Sequence, residues 1–173
     1  MKCIIVYQSK TGFTKKYAMW ILEKLHCDIM KLKDATKEKL TAYDCIIFGS
    51  YIRVEKVRGW NKMKALAGKK ENKDLIIFAT GSTPVAMEEH INDIWKKSIP
   101  EKQLQDIPHF YMQSGLNYEK MGVADKLMMK GFAVMMKWKN KKDGKVGAQD
   151  LGKSFDNSSK KFIMPLVNYV EKK

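Results

Sequence analysis

Cys3-Ile4-Ile5-Val6-Tyr7-Gln8-Ser9-Lys10-Thr11-Gly12-Phe13-Thr14 is the stretch that decides the fold. Its first half, residues 3–8, is a nearly continuous apolar run, the pattern of a strand covered on both faces. The run breaks at Ser9-Lys10-Thr11-Gly12-Phe13-Thr14, a polar turn. After it, Ala18, Ile21, Leu22 and Leu25 recur at three- and four-residue spacing, which predicts a helix. Strand, tight polar loop and helix in that order form the opening unit of an α/β sheet.

The unit repeats along the chain. Asp28 to Leu32 reads as a short, more exposed strand, and Asp44 to Gly49 and Asp74 to Thr80 as strongly apolar ones. Between the last two, Trp60, Met63, Leu66 and Ala67 mark a helix that Gly68 ends. Ile91, Ile94 and Trp95 mark another that stops before Pro100, and His109 to Gly115 reads as the last strand, led by Pro108. A closing helix is expected over Asp156 to Lys173, with Phe162, Leu166, Val167 and Val170 inward and Pro165 kinking it or delaying its start. Such alternation with short connections predicts a three-layer, doubly wound parallel sheet in one domain spanning 1–173. Ligands of these sheets bind beyond the carboxyl ends of the strands.

Three loops at that end draw attention. Ser9, Lys10, Thr11, Gly12, Phe13 and Thr14 place hydroxyls and backbone N–H groups at the start of a helix, where unpaired amides and the helix dipole favour an anion. Gly12 allows close backbone approach. Hydroxyl residues also cap helices commonly, so this loop gains meaning from its company. A second loop, Gly49-Ser50-Tyr51-Ile52-Arg53, follows the third strand, and a third, Thr80-Gly81-Ser82-Thr83-Pro84, follows the fourth. Neither GxxxxGK[ST] nor GxGxxG occurs, which excludes a P-loop and a dinucleotide fingerprint.

S-x-T-G-x-T directly after a first apolar strand resembles the phosphate loop of the flavodoxin family. The resemblance implies a five-stranded sheet of order 2-1-3-4-5 and FMN as cofactor. Ser9, Thr11, Gly12, Phe13 and Thr14 match the phosphate motif, and Lys10 falls at its variable position. Ser50, Tyr51, Ile52 and Arg53, with Thr80, Gly81 and Ser82, match by location the loops that enclose the isoalloxazine ring. Tyr51 is expected either to stack on the flavin or to pack at the sheet edge. Arg53 is expected near the pyrimidine end of the flavin or in a surface salt bridge. Over nearly its whole length the chain looks like the menaquinone-dependent protoporphyrinogen dehydrogenases and their flavodoxin-domain relatives, through Gly49 to Arg53, Gly115 to Tyr118 and Asp125 to Lys130. Glu55, Lys56 and Arg58 stand where that group has glycine and histidines. The likeness implies either an electron carrier with a redox partner protein or an oxidoreductase passing hydrogen equivalents from a porphyrinogen to a quinone. A cofactor-free module that binds an acidic partner is the alternative.

Lysine plus arginine exceed aspartate plus glutamate by 33 − 19, a net charge of +14 that suits acidic partners. No nucleic-acid-binding motif accompanies the charge, so no nucleic acid is expected. His26, His90 and His109 are scattered, which argues against a metal site. Ser50, Ser82 and Ser114 lack a nucleophile elbow, and adjacent Glu88 and Glu89 do not face each other across a substrate, so no catalytic residue is assigned. Cys3, Cys27 and Cys45 read as buried structural thiols of a reducing compartment. That compartment makes the expected location cytoplasmic, and MKCIIVYQSK, which lacks a small-residue cleavage site, reads as a first strand rather than a secretory signal.

Residues 122–142 alternate soft apolar side chains with lysines. The favoured reading is an amphipathic helix packed on the sheet with a lysine-rich outer face. The other is a cationic helix lying against the inner face of an anionic membrane or covering a greasy ligand.

Overall fold

The computed structural model describes residues 1–68, 74–131, 134 and 153–173. Five parallel strands form its centre: β1 (Cys3–Tyr7), β2 (Asp28–Lys31), β3 (Cys45–Arg53), β5 (Asp74–Gly81) and β6 (His109–Gln113). Their spatial order is β2-β1-β3-β5-β6, which is the expected 2-1-3-4-5 arrangement counted over the parallel strands. A sixth strand was not foreseen: β4 (Lys56–Val57) folds back antiparallel on the end of β3, pairing Ile52 with Val57 and Arg53 with Lys56.

Burial explains why the apolar runs became strands. Ile4, Ile5 and Val6 of β1, Ile46 and Ile47 of β3, and Ile77 and Phe78 of β5 are all at 0% exposure, so both faces of the sheet are covered. Each such side chain contributes about 1.5–3 kcal/mol on leaving water. One layer packs Tyr17, Ala18 and Ile21 of α1 (Phe13–Leu25) with Leu166, Val167 and Val170 of the C-terminal helix (Met164–Glu171). The opposite layer packs Trp60 and Met63 of α3 (Trp60–Ala67) with Ile91 and Trp95 of α4 (Glu88–Ser98). Pro165 delays the last helix: a 3-10 turn, Lys160–Ile163, precedes it and proline takes its first turn. Ile163, rather than the half-buried Phe162, supplies the fully buried contact there.

The sheet runs further than its sequence suggested. Ser50 and Tyr51 pair with Ala79 and Thr80, so the expected second loop is the last part of β3, and Thr80 and Gly81 close β5. Pairing with β5 carries β3 past the point where its apolar run stops, and pairing with β6 does the same for the end of β5. Gly49 is fixed by close packing, because a Cβ there would lie 2.1 Å from Phe78 Cζ. The short helices α2 (Lys37–Leu40) and α5 (Glu101–Leu104) had no clear periodic signal.

The three cysteines form a row. Cys3 is the register partner of Cys45, and Cys27 immediately precedes Asp28, the partner of Ile4. All three pack in the same layer. Cys45 is buried, whereas Cys3 and Cys27 are half-buried, so the expectation of buried thiols holds fully for Cys45 alone.

Among the described residues no helix is long and apolar enough to cross a membrane. Of the 122–142 segment, residues 123–131 are helical and are called α6 here. Asp125 is its buried residue, while Val123 and Leu127 are 85% and 71% exposed. The favoured packing of an apolar stripe on the sheet therefore fails over this stretch: a charged group faces in and aliphatic groups face out. Residues 132, 133 and 135–142 lie outside those described.

Candidate functional site

The loop from β1 to α1 leaves an uncapped helix end. Gly12 occupies the N-cap position in the left-handed region, φ +104°, with no side-chain cap and no acidic residue in the first turn. Lys16 N–H is the first to reach an acceptor inside the helix, Gly12 C=O at 2.9 Å. The amides of Phe13, Thr14 and Lys15 therefore precede the intrahelical ladder. Nothing lies within 4 Å of where a Gly12 Cβ would stand. Beside this opening the Ser9 hydroxyl is buried without a hydrogen-bond partner. An orphaned buried hydroxyl costs about 1–3 kcal/mol, so its presence at a bare helix N-terminus fits a group that supplies an acceptor.

Thr14 ties this loop to β5. Its Oγ1 lies 2.8 Å from Thr80 Oγ1, with both residues buried, and Thr80 Oγ1 also approaches Ser50 C=O at 3.5 Å. The end of β5 is held from the other side. Tyr111 Oη donates to Thr83 C=O at 2.7 Å, and Ser114 N–H donates to Gly81 C=O at 2.7 Å. Burial pushes the Tyr111 phenol above its ordinary range, so it stays a donor.

A cavity of about 180 Å³ opens between these elements. Lys10, Thr11, Phe13, Thr14, Tyr51, Ile52, Arg53, Thr80, Gly81 and Ser82 all line it, and Ser9 and Gly12 stand on the adjoining side of the same loop. Ser50 does not line it. Its side chain is at 0% exposure within the sheet, where its hydroxyl finds no partner. The structure thus gathers the three predicted segments at the carboxyl end of the sheet, with Ser50 as the exception.

Asp125 was not singled out from the sequence, yet it closes the site. Its carboxylate, only 9% exposed, accepts from Lys10 Nζ through one oxygen and from Arg53 through the other, at 2.9 Å from Nε and 2.7 Å from Nη2. Hydrogen bonding from Lys10, with Arg53 adding to it, holds this carboxyl below the usual aspartate range. Met121, Met128 and Met129 roof the cavity from the same segment. Asn117 Nδ2 reaches Thr11 C=O at 3.4 Å. Apart from Met121, these residues come from Gly115–Tyr118 and Asp125–Lys130, which carried the family resemblance but no chemical signature of their own.

A sequence comparison with curated proteins gives no match. Among solved structures, a flavodoxin from the domain Archaea is 22% identical, covering 61% of this chain and 90% of its own, with a TM-score of 0.41. Flavodoxin 2 from Bacillus cereus is 20% identical over 65% of this chain and 86% of its own, with a TM-score of 0.46. Smu.1420 from Streptococcus mutans UA159 is 15% identical over 75% of this chain and 96% of its own, with a TM-score of 0.47. Residues 4–144 match the flavodoxin domain family, a span that takes in every loop described above. By that match and by its strand order, the chain belongs to the flavodoxin domain family.

Proposed function

We propose that this chain binds FMN and acts as a redox protein. The observation that carries the reading is the buried, partnerless Ser9 hydroxyl beside the uncapped amino end of α1, with an open approach at Gly12. Ser9, Thr11, Gly12, Phe13 and Thr14 would hold the phosphate monoester. Tyr51, Ile52 and Arg53 would flank the ring on one side, and Thr80, Gly81 and Ser82 on the other. When bound, FMN supplies one- and two-electron transfer chemistry that no protein side chain offers.

The chain's own residues then have definable tasks. Thr14 and Thr80 fix the spacing between the phosphate loop and the end of β5. Arg53 brings a positive charge to the ring side, where it favours negative charge at a nearby group, and Asp125 moderates that charge by pairing with it. The cavity is smaller than the roughly 300 Å³ at which sites for drug-sized ligands begin. Met121, Met128 and Met129 bound the space left for a ring system, and the Asp125 pairs hold that wall in place.

Two finer readings follow. A carrier would exchange electrons with a protein partner, while an oxidoreductase would take hydrogen equivalents from a porphyrinogen and pass them to a quinone. Exposed Val123, Leu127 and Met128 on α6, of which Met128 lines the cavity, favour an apolar partner at that edge, quinone or membrane surface included. Incubation with FMN followed by desalting tests the main reading: one bound flavin per chain with oxidised-flavin absorption is expected. Protein that stays colourless would leave the cofactor-free module as the better account. Turnover of a porphyrinogen with a menaquinone analogue separates enzyme from carrier.

A further inference from the structure

A second cavity, about 610 Å³, lies on the β2 side of the phosphate loop. Lys10 and Lys15 reach it from the loop and α1, Lys31 from the end of β2 and Lys33 from the 3-10 turn after it, Lys62 from α3, and Lys120 from the segment before α6. None of the described residues lining it is acidic. Lys10 has Asp125 as its partner, while the described ion pairs include none to Lys15, Lys31, Lys33, Lys62 or Lys120. Ammonium groups gathered around one concavity repel each other, and a concave wall focuses their field.

We propose that this cavity is a binding site for a small oligophosphate, distinct from the ring cavity and independent of the flavin reading. Its size suits a compact polyanion: it exceeds a single phosphate group and falls within the range of small-molecule sites. Lysines act as point charges that tolerate varied phosphate geometry. Its ring-bearing side chain, Tyr7, is at 7% exposure, so the cavity offers no aromatic platform on which bases of a nucleic acid could stack. The two cavities share the loop from Lys10 to Thr11, so an anion bound here adjoins the flavin phosphate without displacing the ring.

Calorimetric titration with sodium tripolyphosphate at low ionic strength tests this, on the FMN-loaded protein and on the protein as purified. The expected result is one site per chain on both forms, with affinity falling steeply as salt is added. In the Lys31→Glu/Lys33→Glu protein, tripolyphosphate affinity should fall by about tenfold or more while FMN affinity changes little. A Lys96→Glu/Lys102→Glu control, on α4 and the short helix after it, should match the wild type. Citrate at equal concentration should bind at least about tenfold more weakly, since carboxylates gain less from a site built for closely spaced phosphate oxygens. Equal loss in the control protein, equal affinity for citrate, or one-for-one competition with FMN would each overturn the assignment. Failure of FMN to bind leaves the titration of the purified protein standing as the deciding measurement.

Discussion

Arg53 and Asp125, 72 positions apart, meet through two contacts to one carboxylate oxygen, at 2.9 Å from Nε and 2.7 Å from Nη2. With Lys10 on the other oxygen, this carboxylate joins the phosphate loop, the end of β3 and α6. Replacing Asp125 by Ala should release α6, since losing charge-assisted hydrogen bonds of this kind costs about 1.5–3 kcal/mol. Hydrogen exchange over 123–131 should quicken by about tenfold, and FMN should associate faster. Unchanged exchange would mean that the helix is held by its other contacts.

The same carboxylate sets an acid limit. Its folded-state value lies below the ordinary 3.8, so its contribution is complete above that value and is lost as pH falls through the folded value. Docking of α6 should therefore be insensitive to pH near neutrality and weaken only in acid. Tryptophan or exchange probes followed from neutral pH downward should show wild type approaching the Asp125→Asn protein. A transition near pH 6 in that docking would point to a different group.

Ser9→Ala separates binding from folding. The hydroxyl has no partner in the protein, so its removal should leave the denaturation midpoint unchanged or slightly raised. Affinity for FMN should fall by about tenfold, the worth of one hydrogen bond to a charged acceptor. A clear loss of stability with unaltered affinity would show that the hydroxyl serves the fold instead.

Val54 and Glu55 form the two-residue turn between β3 and β4, and both have positive φ, 50° and 54°. A β-branched residue is an outlier in that region, where Asn-Gly is the favoured pair. Val54 is also 67% exposed at the rim of the ring cavity. Val54→Asn with Glu55→Gly should raise stability by about 1–2 kcal/mol, read as a higher urea midpoint with the same slope. A lower midpoint would mean that the Val54 side chain contributes packing that offsets its backbone strain.

The thiol row predicts unequal reactivity. Interaction with Cys27, and then with Cys45, raises the Cys3 thiol, while the Cys3 thiol beside it lowers that of Cys27. Half-buried Cys27 should thus be alkylated by iodoacetamide at lower pH than Cys3. Cys3→Ala should shift the Cys27 reaction toward ordinary thiol pH, as peptide mass spectrometry would show. Faster labelling of Cys3 would reverse that order.

Local sequence determined most of the architecture. Runs such as Ile4–Val6 and Ile46–Phe48 can be covered only inside a two-sided sheet, and helical spacing in Ala18–Leu25 and Ile91–Trp95 specifies the layers above and below. The loop from Ser9 to Thr14 was also legible, because a strand, a glycine and hydroxyls in that order make an anion site wherever the following helix begins. What only the tertiary structure decided are the long-range encounters: Asp125 with Lys10 and Arg53, the extension of β3 into a hairpin, the row of three thiols, and lysines from four segments around one cavity. None of these leaves a periodic or turn signal. Each depends on side chains far apart in the chain reaching one place, and their charge or hydrogen-bonding partners are set by the fold.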